Sequence, residues 1–222
     1  MFKYIVRFSK TGSICYTSHL DMMRMFHRIF KRAGIRLSYS QGFNPHPKIG
    51  FAQPLPLGYS GLDEMMEFET DEEYDEAVLG KTLADMMPQG IDIISCRAFK
   101  PVKKSLAAAT EAAEYIIAIP TGEAFDLTGE EMKGSYLGQE HITALKRQKK
   151  KKELAEVDIK PMIREIVFTP ESGSLFITAI LDSGSTSNLS PELVIDTVKS
   201  HFSIDIDRSE IEVMRKKIFL AK

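Results

Sequence analysis

The chain has 222 residues, a hydrophobic share of 43% and a formal net charge of −2, a length for one large domain or two of about 100 residues. Two cysteines exclude a secreted disulfide framework. No apolar run approaches the roughly 18 residues of a membrane span, and the N-terminus lacks a signal-peptide pattern, so the expectation is a cytoplasmic protein without a membrane partner. The near-neutral total conceals segregation. Residues 1 to 60 hold nine Lys or Arg and one acid, Asp21, whereas residues 63 to 98 hold eleven acids with only Lys81 and Arg97. On separate surfaces these segments would make the chain strongly dipolar; packed together they would neutralise each other.

In chain order, residues 2 to 8 alternate as a first strand, with Phe2, Tyr4, Val6 and Phe8 on one side. A helix follows over 18 to 33, opened by Ser18 and Asp21 in a capping-box pattern and stopped by Gly34. Leu20, Met23, Phe26 and Phe30 share one face, widened by Met22, Met25 and Ile29. Residues 35 to 39 read as a short strand, 40 to 47 as a turn, and 49 to 57 as an extended segment demoted to an edge by Pro54 and Pro56. A strand over 65 to 70, an acidic helix from Asp71 to about Met87 with Tyr74, Ala77, Val78, Leu83 and Met86 inward, and a strand over 91 to 99 complete the first half.

The second half repeats that order. A strand is expected over 115 to 119, short helical pieces over 124 to 137, and a helix over 139 to 148. Six positive charges crowd residues 146 to 152, a pattern that is usually solvated. Strands over 159 to 168 and 175 to 181 flank a turn at Pro170 to Gly173. A helix over 193 to 202, opened by Ser190 and Pro191, precedes a strand over 211 to 220. The expected fold class is α+β, as tandem ferredoxin-like (βαββαβ) sandwiches with antiparallel sheets. The expected domains are residues 1 to 100 and 114 to 222, with 101 to 113 as a connector.

The chemistry concentrates in residues 17 to 58. Arg24, His27, Arg28 and Lys31 fall on a second stripe of the first helix, extended by Arg32, which as a binding surface would hold phosphates or an acidic partner. The loop from Gly42 to Lys48 combines a permissive glycine, two stiffening prolines, the rings of Phe43 and His46, and the polar groups of Asn44 and Lys48. It suits gripping a flexible ligand such as single-stranded RNA, and equally a rigid turn between strands. Ten of the chain's twenty Phe and Tyr lie in the first 60 residues, which favours nucleic acid, though most must also build the core. His19 sits at the helix start, where the dipole disfavours imidazolium, so it could act as a general base. Cys15, His19, Asp21 and His46 match no zinc spacing. No phosphate loop, dinucleotide fingerprint or nucleophile elbow occurs, so no metal or cofactor is expected.

The segments S-H-L-D-x-x-R, R-A-G, Y-S-x-G-F-N-P-H-P-K and P-L-P-L-G between Ser18 and Gly58, with V-D-I-K-P-M-I at 157 to 163, resemble the family described as radical-SAM-linked proteins, a bacterial family of unknown function. The resemblance covers most of the chain. It implies a module encoded alone or joined to a radical SAM protein, and hence a partner enzyme that carries the iron–sulfur cluster. Two cysteines, 81 positions apart, cannot supply the usual three-cysteine ligation themselves. The expected function is an accessory or substrate-binding module for a radical SAM enzyme, more a non-catalytic partner than an enzyme. Arg24, Arg28, Lys31 and Arg32 would hold RNA phosphates, and Phe43, Asn44, His46 and Lys48 would contact the substrate. The alternatives are a metal-independent RNA-processing endoribonuclease of CRISPR type using His19, and a protein-interaction adaptor.

Overall fold

A computed structural model describes residues 1–99, 104–147 and 154–221. Parts of the expected connector and most of the 146 to 152 basic run lie outside them. The chain divides into two compact units, Met1–Thr110 with Leu220–Lys222, and Glu111–Phe219.

The first unit begins with β1 (Phe2–Lys10), α1 (His19–Arg32), β2 (Ile49–Phe51), β3 (Ser60–Thr70), α2 (Glu76–Ala84) and β4 (Ile91–Ala98). Its strands lie in the order β4-β1-β3-β2, and every neighbour is antiparallel. Alternation in β1 puts Tyr4, Val6 and Phe8 on the face that meets both helices. Met22, Phe26, Ile29 and Phe30 of α1 and Leu79 and Leu83 of α2 join them in one core with Met66 and Phe68 of β3. Each such side chain contributes on the order of 1.5–3 kcal/mol by leaving water. A short α3 (Leu106–Ala109) follows, capped by Ser105.

The second unit contains β5 (Thr110–Pro120, starting at the unit boundary), α4 (Gly129–Leu137), β6 (Thr143–Arg147), β7 (Leu154–Asp158), β8 (Ile163–Glu171), β9 (Ser174–Asp182), α5 (Pro191–Phe202) and β10 (Glu212–Leu220). Its main strands run β10-β5-β9-β8, and β6 with β7 forms a separate two-stranded antiparallel sheet. Tyr136 of α4 and Phe202 of α5 both meet the Phe168 ring of β8, at 5.6 and 5.7 Å. The chain is thus a mixed α/β protein on mostly antiparallel sheets, as expected at that level. No helix among the described residues is long and apolar enough to cross a membrane.

Several local expectations change. Residues 35 to 39 form only isolated bridges, Leu37 to Thr70 and Tyr39 to Pro47. Only Ile49–Phe51 of the 49 to 57 segment pairs as a strand, because Pro54 and Pro56 have no amide hydrogen for a ladder. The acidic helix starts at Glu76, where Asp75 accepts from the amides of Ala77 and Val78, and those two residues are exposed rather than inward. The 101 to 113 connector contains α3 and the start of β5. The helix expected over 139 to 148 is replaced by β6, which pairs with β7 from Thr143↔Asp158 to Arg147↔Leu154. Ile142 and Ala144 are buried while Thr143 and Leu145 are exposed, so a period of two overrides good helix formers. In α1, Leu20 is 64% exposed and does not join the apolar face.

Phe26→Ala is expected to cost about 3–5 kcal/mol, whereas Leu20→Ala is expected to stay within about 0.5 kcal/mol. Urea unfolding of the two variants measures the difference.

Candidate nucleic-acid interface

Helix α1 is set by its first turn. The Ser18 hydroxyl oxygen accepts from the Asp21 amide at 3.2 Å, and the same hydroxyl donates to Asp21 Oδ2 at 2.7 Å. Asp21 Oδ1 accepts from Arg24 at 2.9 Å. The Ser18 hydroxyl, then Arg24, hold the Asp21 carboxyl below the usual carboxylate range. Lys31 and Arg32 occupy the last turn, where the helix dipole favours cations. With Met22, Phe26, Ile29 and Phe30 turned inward, Arg24, Arg28, Lys31 and Arg32 are all exposed.

The basic and acidic segments meet, and partly neutralise each other. Lys3 pairs with Glu67 at 2.9 Å, Arg36 with Glu72 at 2.8 Å and Lys48 with Glu69 at 2.7 Å, and Arg7 also pairs with Asp63. The β1–β3 register explains two of these pairs. Lys3 lies opposite Glu69 and Arg7 opposite Met65, so Glu67 and Asp63 are their diagonal neighbours on the same face. Lys10 is buried, its Nζ donating to the carbonyls of Cys15 and Thr17 at 3.2 and 3.0 Å. Among the described residues Arg24 pairs only with the exposed Asp21. Among the described residues, no salt bridge or hydrogen bond reaches the side chains of Arg28, Lys31 or Arg32.

The loop after residue 38 is closed at its base. The Ser40 amide donates to the His46 carbonyl at 2.8 Å, the His46 amide donates to Ser40 Oγ at 3.0 Å, and the Lys48 amide donates to the Ser38 carbonyl at 2.8 Å. Gly42 takes a φ of 128°, a conformation that few other residues adopt. Residues 41 to 46 are all exposed, with Phe43 wholly so. Asn44 and His46 share that exposure. Lys48 differs: its ammonium is occupied by Glu69. A bond between His27 Nε2 and the Tyr39 hydroxyl, at 3.2 Å, ties the loop to α1. The sequence set His27 on the cationic stripe but gave no sign of Tyr39 or of the bond between them, because twelve positions separate the two and nothing local implies the contact.

His19 lies apart from that bond, half-buried, with its ring 5.3 Å from Phe51. Burial, then the charge of Lys10, push its pKa below 6.5. Cys15 and Cys96 are both free and buried, and burial pushes the Cys96 thiol up to about 12. No group of three or more His, Cys, Asp or Glu among the described residues could hold a metal ion. A cavity of about 770 Å³ lined by residues including Tyr4, Tyr74, Glu76 and Arg97 contains none of the expected site residues.

The His19 shift makes stability depend on pH. The folded state disfavours imidazolium, so the unfolded chain binds the proton more readily. Stability contributed by neutral His19 is present above pH 6.5 and declines as the pH falls below it. His19→Gln is expected to show a smaller drop in urea midpoint between pH 7.5 and 5.5 than the parent chain.

The solved structures similar to this chain include the crystal structure of a Cbf5-Nop10-Gar1 complex, at 12% identity over 97% of this chain and 48% of that one, with a TM-score of 0.49. They also include an unknown protein from Galdieria sulphuraria, at 13% identity over 96% of this chain and 98% of that one, with a TM-score of 0.29. This chain spans about half the length of the first. No curated protein matches it. A family model described as "Uncharacterized protein conserved in bacteria (DUF2344)" matches residues 3–191. With most of its length inside that match, the chain belongs to this family of uncharacterized bacterial proteins.

Proposed function

We propose that the protein is an RNA-binding accessory module that works with a radical SAM enzyme in the bacterial cytoplasm. We read its two units as ferredoxin-like. Counted along the chain, the main strands of each unit lie in the order 4-1-3-2, which supports that reading. Two free, buried thiols fit a reducing compartment.

The observation that carries the proposal is selective neutralisation. Carboxylates of the acidic segment quench Lys3, Arg7 and Lys48, and Glu72 holds Arg36 in a more exposed pair. Arg28, Lys31 and Arg32 stay exposed on the outer face of α1, and α1 is tied to an exposed loop by His27 and Tyr39. Three cations on one ridge suit a short run of phosphates. Arg24, one turn before Arg28, gives up only a solvent-exposed pair with Asp21 to join them. Asn44 and His46 add polar groups at the loop. The radical SAM partner is proposed from the resemblance of the segments around residues 18 to 58 and 157 to 163.

A second reading is RNA cleavage without metal. It is favoured by the lowered His19 pKa, which leaves a neutral imidazole able to accept a proton from a ribose hydroxyl. Cleavage that persists in chelator and vanishes in His19→Ala would select it.

Binding of a single-stranded RNA 12-mer, followed by fluorescence anisotropy across salt concentrations, tests the main proposal. Three phosphate contacts are expected to give a slope of log affinity against log salt of about −2, at roughly −0.7 per phosphate. Arg28→Glu and Lys31→Glu should each weaken binding and flatten that slope. Unchanged binding in both variants overturns the assignment. A radical SAM protein recovered with the tagged chain, without RNA, makes it an adaptor instead.

A further inference from the structure

We infer that Tyr39 and Phe43 form a stacking platform for unpaired bases, which makes the preferred ligand of this site a single strand rather than a duplex. The inference rests on the RNA reading above. Its new element is Tyr39, and the means by which the fold holds it.

Phe43 is wholly exposed at the tip of the closed loop, and Tyr39 is 45% exposed at its base. A phenyl ring in water gains nothing from that position in the isolated chain. The loop around it is closed by the Ser40–His46 bonds and stiffened by Pro45 and Pro47, so the ring is displayed at low entropic cost. An anchor for a protein pocket would sit within a larger apolar patch. Here the neighbours along the chain are Gln41, Gly42, Asn44, Pro45 and His46, all exposed, and the His27–Tyr39 bond ties the base of the loop to α1 with its cations. Isolated aromatic rings beside unpaired cations are the pattern by which single strands are held, bases on rings and phosphates on Lys or Arg.

The His27–Tyr39 bond supplies the geometry. His27 lies one turn from both Arg24 and Lys31 on α1. Its Nε2 meets the Tyr39 hydroxyl at 3.2 Å, which pins the Tyr39 ring beside the phosphate ridge. Phe43 lies four positions after Tyr39, at most about 14 Å between their Cα atoms, within reach of a few successive nucleotides. Tyr39 is therefore a contact residue for a base, and His27 is a positioning residue that acts through it. Duplex RNA offers no free base face to either ring, since its bases are stacked within the helix.

The test uses the full chain and an oligoadenylate 12-mer carrying one central 2-aminopurine, alone and annealed to its complement. The expected result is binding of the single strand at least tenfold tighter than the duplex, with quenching of the 2-aminopurine. Phe43→Ala and Tyr39→Ala should each weaken single-strand binding by about 5- to 100-fold, with the salt slope unchanged. Tyr39→Phe should keep only part of the quenching, because the ring remains but the bond to His27 that pins it is lost. Phe43 packs against nothing that folding requires, so its variant stays folded. Equal binding of duplex and single strand, with both alanine variants as tight as the parent and the salt slope intact, overturns the stacking platform and leaves the phosphate ridge standing. No salt-dependent RNA binding at all overturns both.

Discussion

The burial of one stripe of α1 governs the first unit. Phe26 meets Phe8 of β1 at 5.3 Å and Phe51 of β2 at 5.7 Å, and Phe30 meets Phe68 of β3 at 4.6 Å. These ring contacts admit one rotation of the helix about its axis. That rotation leaves Leu20 outside and puts Arg28, Lys31 and Arg32 in solvent. Tyr4 extends the same cluster, stacking on Phe68 at 5.4 Å while its hydroxyl donates to the Tyr74 carbonyl at 3.0 Å. The segment leading into α2 is thereby tied to the sheet. A change in the packing of Phe26 or Phe30 would move every cation of the ridge together.

Charge in this unit follows from strand register. β1 and β3 are antiparallel neighbours, one rich in cations and the other in carboxylates, so the cations facing away from the core find acids across the ladder. The pairing removes Lys3 and Arg7 from any candidate surface, and Lys48 joins them through Glu69. The +8 balance of residues 1 to 60 is therefore a poor guide to the potential outside the molecule. The local field left on α1 is smaller and better placed, since it borders a closed loop with an exposed ring.

The second unit illustrates the same competition between local and distant forces. Residues 143 to 147 contain Ala, Leu, Lys and Arg, good helix formers, yet they pair as β6 with β7. Asp158 supports that choice. Its Oδ1 accepts from the Ile142 and Lys160 amides and its Oδ2 pairs with His141, which binds the two ends of the hairpin. These contacts, His141 first, hold the Asp158 carboxyl below its ordinary range.

Elements whose signals are local could be read from the residues alone. The caps at Ser18 and Ser190, the alternation of β1 and β9, and the turn at Gly173 depend on residues a few positions apart, and they were legible for that reason. The apolar stripe of α1 was legible too, apart from its first turn. Which cations remain available depends on the folded chain, because the carboxylates that pair with the others lie 21 to 64 positions away along the sequence, beyond the reach of any local pattern. Arg36 and Glu72, like Arg7 and Asp63, are such pairs. The same holds for the bond of His27 to Tyr39, for the burial of Lys10, and for the conversion of residues 143 to 147 into a strand. In each case the deciding energy is a contact between distant residues, and it exceeds the local preference it replaces.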